Sequence, residues 1–296
     1  LIGLDFTQKY ILKLGIIFLG IQLKPFEFLK FSAIAIPLIM ICIISVLVVI
    51  KLLIKKFKIS RRMSYLIAIG STVCGTTAIM ATGPIIKAKK SEIAYAVANM
   101  TVFGIIAMLC YPYFANYYFE GDSLFSGLFL GTAIHETAQV AAAGLIYDQQ
   151  FNSPETLNIS TVTKLIRNTF LVIMIPLFAY LYNRGNNKSK KYSLISIFPY
   201  FVLGFITFVI FRNAGDYVFL NSVNSYDEFW LEFVSAIKFS AKVFLTMAMG
   251  AIGLSTNLKD LKSMGYKPFI VGFISLLTVG IVSLSAIEFF GILVVN

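Results

Sequence analysis

The side chains able to do chemistry in this sequence are few, and the informative ones interrupt long apolar runs. His135 and Glu136 fall inside GLFLGTAIHETAQVAAAGL, and Gln139 follows His135 by four residues, the spacing that places two side chains on one helix face. Ionisable groups at such a position need partners or a task, and a histidine titrates near neutrality, so this trio reads as a coupling or gating group. The alternative is structural, a hydrogen-bonded pair closing a helix break. The string HETAQ lacks the second histidine of a zinc protease, and His135 is the only histidine in the chain.

A second group is GSTVCGTTAI, from Gly70 to Ile79. Ser71, Thr76 and Thr77 supply hydroxyls, and Cys74 with Gly75 marks a place where a helix can open and leave N–H groups free to meet an anion. Cys74 would be a nucleophile if His135 reached it, and otherwise a small buried residue. Lys164, Arg167 and Asn168, spaced i, i+3, i+4, form a polar helix face whose guanidinium fork suits an oxyanion. The competing expectation is that both cations extend to the membrane surface. The substrate-contacting set is therefore Ser71, Cys74, Gly75, Thr76, Thr77, Lys164 and Arg167.

The elements that must position these residues are membrane segments. Of 296 residues 58% are hydrophobic and 13% charged, and the mean hydropathy is +0.84, a composition no water-soluble domain carries. About nine apolar segments follow one another, near 10–23, 28–54, 64–86, 93–119, 123–147, 161–182, 193–212, 231–254 and 266–294. They read as one all-α integral membrane domain over residues 1–296. The net charge of +11 comes from short basic connections rather than a stripe interleaved with aromatics, so it marks membrane orientation and not nucleic-acid binding. Three scattered cysteines, Cys42, Cys74 and Cys110, argue against disulfides and against a metal site, and no cofactor is expected.

Lys51–Arg62, Arg184–Lys191 and Lys259–Lys267 predict cytoplasmic loops. Strict alternation of crossings would put Lys87, Lys89 and Lys90 outside. If 64–86 and 123–147 instead enter from opposite faces and turn back, that loop lies inside, while Glu120–Asp122 and Asp148–Glu155 lie outside. Two fully crossing broken helices are the rival arrangement. The interrupted segments echo each other: Gly70–Ala81 lies over Gly131–Ala142 without gaps, pairing Gly70 with Gly131 and Thr76 with Thr137. A second echo joins Phe6–Ile21 to Phe239–Leu254, running in opposite directions through the membrane, as an inverted-repeat transporter architecture requires.

Four stretches, LGIIFLGIQL (Leu14–Leu23), GSTVCGTTAI (Gly70–Ile79), AIHETAQVAAAG (Ala133–Gly144) and KLIR (Lys164–Arg167), resemble the YeiH-type family of prokaryotic membrane proteins described as sulfate exporters. The resemblance covers nearly the whole chain, with Val73 and Thr77 as mild departures. It implies similarity to carriers of the bile-acid symporter type, a multi-pass protein of the cytoplasmic (inner) membrane, and about two further helices upstream, in keeping with a first residue that is Leu1 rather than Met. The expectation is a secondary transporter of a small anion, sulfate or an organosulfur compound, embedded in a lipid bilayer. H+ or Na+ coupling and a homodimer are open options. An intramembrane enzyme using Cys74 or His135 and Glu136, and a passive channel, are the other readings.

Overall fold

The computed structural model describes residues 2–22, 25–183, 201–220, 227–255 and 265–295, and every regular element within them is helical. The helices are α1 (Ile2–Phe6), α2 (Leu12–Leu19), α3 (Pro25–Phe57), α4 (Arg61–Thr72), α5 (Gly75–Ile85), α6 (Lys90–Tyr118), α7 (Ser123–Ala133) and α8 (Thr137–Phe151). They continue as α9 (Pro154–Thr169), α10 (Leu171–Asn183), α11 (Phe201–Gly215), α12 (Asp227–Ser255) and α13 (Tyr266–Val295). The expected stretch 193–200 and the loops 184–191 and 259–262 lie outside the described residues. The expected segment at 161–182 begins earlier, because Ser153 and Pro154 start α9 at the previous turn.

Among the described residues, Ile34–Ile54, Lys90–Tyr118 and Tyr266–Phe290 are long and apolar enough to cross a bilayer singly, and the pair Pro154–Thr169 and Ile173–Tyr182, bent by 42°, has the length and composition of a broken span or a re-entrant loop. The pattern on α3 shows why these helices need lipid. Met40, Ile44, Val48 and Leu52, four residues apart, are exposed, while Ile39, Ile43, Val46 and Ile50 are buried. Both faces are apolar, one packed on protein and the other left for acyl chains.

The two interrupted segments are hairpins. Ser60, which caps α4, approaches Glu92 at the start of α6, with Oγ 3.5 Å from Oε1. A Cβ on Gly70 would sit 2.8 Å from the Ile79 side chain, although on one straight helix residues nine apart are separated by about 13 Å of rise. Likewise Ser123, at the start of α7, meets Ser153, just past α8, at 2.8 Å, and Ser126 meets Tyr147 at 3.1 Å. Each pair of half-helices therefore starts and finishes at one end of the bundle.

One end gathers Lys58, Arg61, Lys87, Lys89, Lys90 and Lys267. Arg61 Nη2 donates there to the carbonyls of Leu181 (3.3 Å) and Tyr182 (3.1 Å), and Tyr95 Oη donates to Gly265 O (2.8 Å). The opposite end carries Glu120, Asp122 and Glu155, and there Tyr118 hydrogen-bonds Glu288. Lys58, Lys87, Glu120 and Asn152 close helices at these ends with positive φ, the left-handed C-terminal geometry that redirects a chain.

Helix α9 is wedged between the arms of the second hairpin. A Cβ on Gly131 of α7 would fall 2.6 Å from Thr163 Cβ and 2.7 Å from Ser160 O, and one on Gly144 of α8 would fall 2.7 Å from Ser160 Oγ. Elsewhere Asn99 Nδ2 donates to Pro268 O at 2.9 Å, a helix-packing role joining α6 to α13. Gly131→Ala should lower stability by about 1–3 kcal/mol through overpacking against backbone, whereas Gly3→Ala, with nothing within 4 Å of the added methyl, should leave it unchanged. Apparent unfolding temperatures of the detergent-solubilised variants check both.

Candidate functional site

The two hairpins meet tip to tip, and the ends of their half-helices define the site. A helix that stops inside a bilayer leaves carbonyls at its C-terminal end and N–H groups at its N-terminal end without water to satisfy them. Here the C-terminal ends of α4 and α7 converge on α9. Lys164, fully buried, donates from Nζ to the carbonyls of Val73 (3.0 Å), Ile134 (2.9 Å) and His135 (2.5 Å). Arg167, 1% exposed, donates from Nε to Thr72 O (3.0 Å), from Nη1 to Thr132 O (2.5 Å) and Ile134 O (3.4 Å), and from Nη2 to Ser71 O (2.6 Å).

The expectation that these cations extend to the membrane surface is thus corrected. One helical turn of α9 presents both to the negative ends of two helix dipoles, where cations are favoured. Their ammonium and guanidinium donors are held on backbone carbonyls.

The N-terminal ends carry the complementary charge. Glu136, the residue before α8, accepts at Oε1 from Thr76 N at 3.2 Å, and Thr76 Oγ1 also bonds that oxygen. The carboxylate of one hairpin therefore caps the first turn of the other, and Gly75 lets it approach: a Cβ there would lie 2.9 Å from Glu136 Cγ. Gly75 N donates to His135 O at 3.3 Å. Thr137 Oγ1 lies 3.3 Å from Cys74 Sγ and accepts from Asn168 Nδ2 at 2.9 Å.

The site residues expected from sequence are gathered here with different exposures. Thr77 is exposed, Thr76 and Glu136 are half-buried, and Ser71, Cys74, Gly75, His135 and Gln139 are buried. Ser71 Oγ is turned toward Met100 Sδ at 3.6 Å, and Gln139 Nε2 donates to Thr101 O at 3.1 Å. The shared helix face for His135 and Gln139 does not form, because α8 begins at Thr137 and leaves His135 in the break. Cys74 pairs with Thr137, and both ring nitrogens of His135 are buried without a hydrogen-bond partner.

Sequence reading missed the role of Glu136 as a cap, and no local signal announces it: Glu136 precedes α8 without capping it, and its carboxylate reaches Thr76 of the other hairpin instead. It also missed Thr132, whose hydroxyl meets Ser283 of α13 at 2.6 Å. Among the described residues no group of three His, Cys, Asp or Glu is placed to hold a metal ion, and Cys42, Cys74 and Cys110 are free thiols.

Comparison with known proteins adds the lineage. Residues 2–272 match the family model described as conserved hypothetical protein 698. A UPF0324 membrane protein of Streptococcus agalactiae serotype V is 34% identical over 284 residues, which are 96% of this chain and 81% of that protein. Its counterpart in Clostridium tetani is 33% identical over 295 residues, 95% of this chain and 80% of that protein. One in Fusobacterium nucleatum is 32% identical over 304 residues, 98% and 84% of the two chains. No solved structure matches the chain.

Removing the cations should unmake the crossing. Arg167→Met strands the Ser71, Thr72 and Thr132 carbonyls, at about 1–3 kcal/mol for each buried group left unpaired, so the folded yield should collapse. Arg167→Lys should recover only part of it, since an ammonium lacks the fork. Glu136→Gln, which keeps an acceptor for Thr76, should be milder than Glu136→Ala. Fluorescence-detected size-exclusion profiles of the four variants give the order.

Proposed function

This chain belongs to the family described as conserved hypothetical protein 698, a YeiH-like group of membrane proteins, and from that membership we propose that it is a secondary transporter. Its cargo in this reading is a small anion, sulfate or an organosulfur compound, moved across the cytoplasmic membrane by alternating access. The observation that carries the proposal is the charge at the crossing. Two buried cations, Lys164 and Arg167, stand against one carboxylate, Glu136, and among the described residues neither cation has a carboxylate within ion-pair distance.

The half-helix dipoles sharpen the count. Two C-terminal ends contribute roughly one negative charge and two N-terminal ends roughly one positive charge. The first offsets one of the two cations, and Glu136 offsets the second. About one positive charge is left over in a low-dielectric interior, an arrangement that favours a single anion. The exposed Thr77 hydroxyl supplies a contact for it, and the hydroxyl and N–H of Thr76, held by Glu136 in this structure, become contacts when the anion displaces that carboxylate, with Gly75 and Cys74 behind them. Ser71, Lys164 and Arg167 take part in this reading by shaping and charging the tip of the hairpin.

Several features support alternating access about this point. The hairpins arrive from opposite ends, and the gap-free echo in sequence sets Thr72, the last residue of α4, over Ala133, the last residue of α7. Glu136 and His135 sit where a coupling ion, H+ or Na+, would be sensed, with Gln139 anchoring the following turn to α6. The basic end then faces the cytoplasm.

Orientation and transport are separately testable. A cysteine replacing Glu120 should react with a membrane-impermeant thiol reagent applied to intact cells, and one replacing Lys89 should react only after lysis; the reverse would invert the topology. In proteoliposomes, labelled sulfate uptake should be saturable, and a Thr76→Val, Thr77→Val double variant should lose at least about tenfold, since hydrogen bonds to a charged group are worth about 1.5–3 kcal/mol each. His135→Ala should abolish any dependence on a pH gradient. Folded protein that moves neither sulfate nor organosulfur anions above empty liposomes refutes the anion reading.

A further inference from the structure

The helices fall into two packed groups. In the first, α2, α11 and α12 pack on one another: a Cβ on Gly15 would lie 3.1 Å from Phe244 and 3.2 Å from Leu245, one on Gly20 would lie 2.3 Å from Phe205 O, and Arg212 Nη1 donates to Ile21 O at 3.3 Å. The second holds both hairpins with α6, α9 and α13. Of the two ion pairs among the described residues, Arg212–Asp216 lies within the first group and Lys242–Asp148 joins the two, with Nζ 2.6 Å from Oδ2. Asp148 stands near the end of α8, the arm whose other end bears Glu136, and its side chain is only 8% exposed.

Lys242 has a second lysine one turn away on the same face of α12. Lys238 is half-buried and, among the described residues, has no ion pair. The charges around it are Arg212, Asp216 and Lys242, and Asp216 is already engaged by Arg212 Nε at 2.7 Å and Trp230 Nε1 at 2.8 Å. Lys238 is therefore a cation with an open claim on a carboxylate, placed nearer the acidic end than Lys242.

The groups are also offset along the bundle. From Lys242, α12 runs fifteen residues (242 − 227) to its start at the acidic end, roughly 22 Å of rise. From Asp148, α8 ends after three (151 − 148). The hairpin group is seated toward the basic end, with helix of the first group standing clear above it.

We propose that Asp148 with Lys242 and Lys238 is a two-position latch, which holds the hairpin group in the present register on Lys242 and in a second register, one helical turn toward the acidic end, on Lys238. The proposal rests on the transporter reading, for which it supplies the two stops of the moving part. Exchange between the lysines translates the crossing by about 6 Å, the rise of four residues. One-turn slips of this kind suit packed helices, whose side chains interlock at discrete positions. The buried carboxylate discourages intermediate positions, because between the lysines it is desolvated and unpaired.

Electron–electron resonance distances test this without any substrate. Nitroxides are attached at Gln149→Cys on α8 and Phe229→Cys near the start of α12, both exposed, in full-length protein with Cys110→Ser, reconstituted in lipid nanodiscs. Two populations are expected, the shorter by about 6 Å. Lys238→Met should leave only the longer distance and Lys242→Met should enrich the shorter one at least tenfold. A single population unchanged in all three backgrounds overturns the latch. That result with sulfate flux intact would sink the latch alone, whereas two registers without anion flux would sink the anion reading alone.

Discussion

A peptide group inside a bilayer has no water to turn to, and this chain breaks two helices there. The arrangement persists because one short helix carries two cations into the breaks: Lys164 and Arg167 together place seven hydrogen bonds on six carbonyl oxygens of α4, α7 and the turns that follow them. Other features of the core are conditions for that contact. Helix α9 must lie close enough for a four-carbon stem and a guanidinium to reach both tips, so α7 and α8 present glycine to it at 131 and 144. The break between Thr169 and Leu171 then lets the chain bend away once the cations have been delivered.

The same economy governs the other halves of the hairpins. Glu136 belongs to the second tip but caps the first, and Thr137 of the second meets Cys74 of the first. Neither hairpin is complete without its neighbour. That mutual dependence separates the crossing from a simple packing defect: loss of the contact between Glu136 and Thr76 would change the stability of both hairpins at once. His135 stands in the same break as a buried imidazole whose two ring nitrogens have no hydrogen-bond partner among the described residues.

Around this centre the molecule separates stiffness from freedom. The hairpin group is tied together by polar contacts at both ends and in its middle, among them Asn99 with Pro268, Thr132 with Ser283 and Tyr118 with Glu288. Among the described residues, the charged tie across to α12 is a single lysine and aspartate. The proposed displacement depends on this contrast, since many internal bonds would keep the crossing intact while few would have to change.

The membrane class, the places where helices break and the buried cations are all legible in the order of residues. Hydropathy is additive along the chain, and glycine, hydroxyls and lone charges inside apolar runs are local signals; pairing Gly70–Ala81 with Gly131–Ala142 set one helix end over the other. What Lys164 and Arg167 bind was decided only by the tertiary structure, because their partners are backbone carbonyls up to 96 residues away, and a carbonyl has no signature in a sequence. The i, i+4 pairing of His135 with Gln139 failed for the same reason, since helical spacing holds only within one helix and the break falls between them. Asp148, near the end of α8, and Lys242, in the middle of α12, carry no local signal of each other; only the docking of α12 on α8 made them a pair.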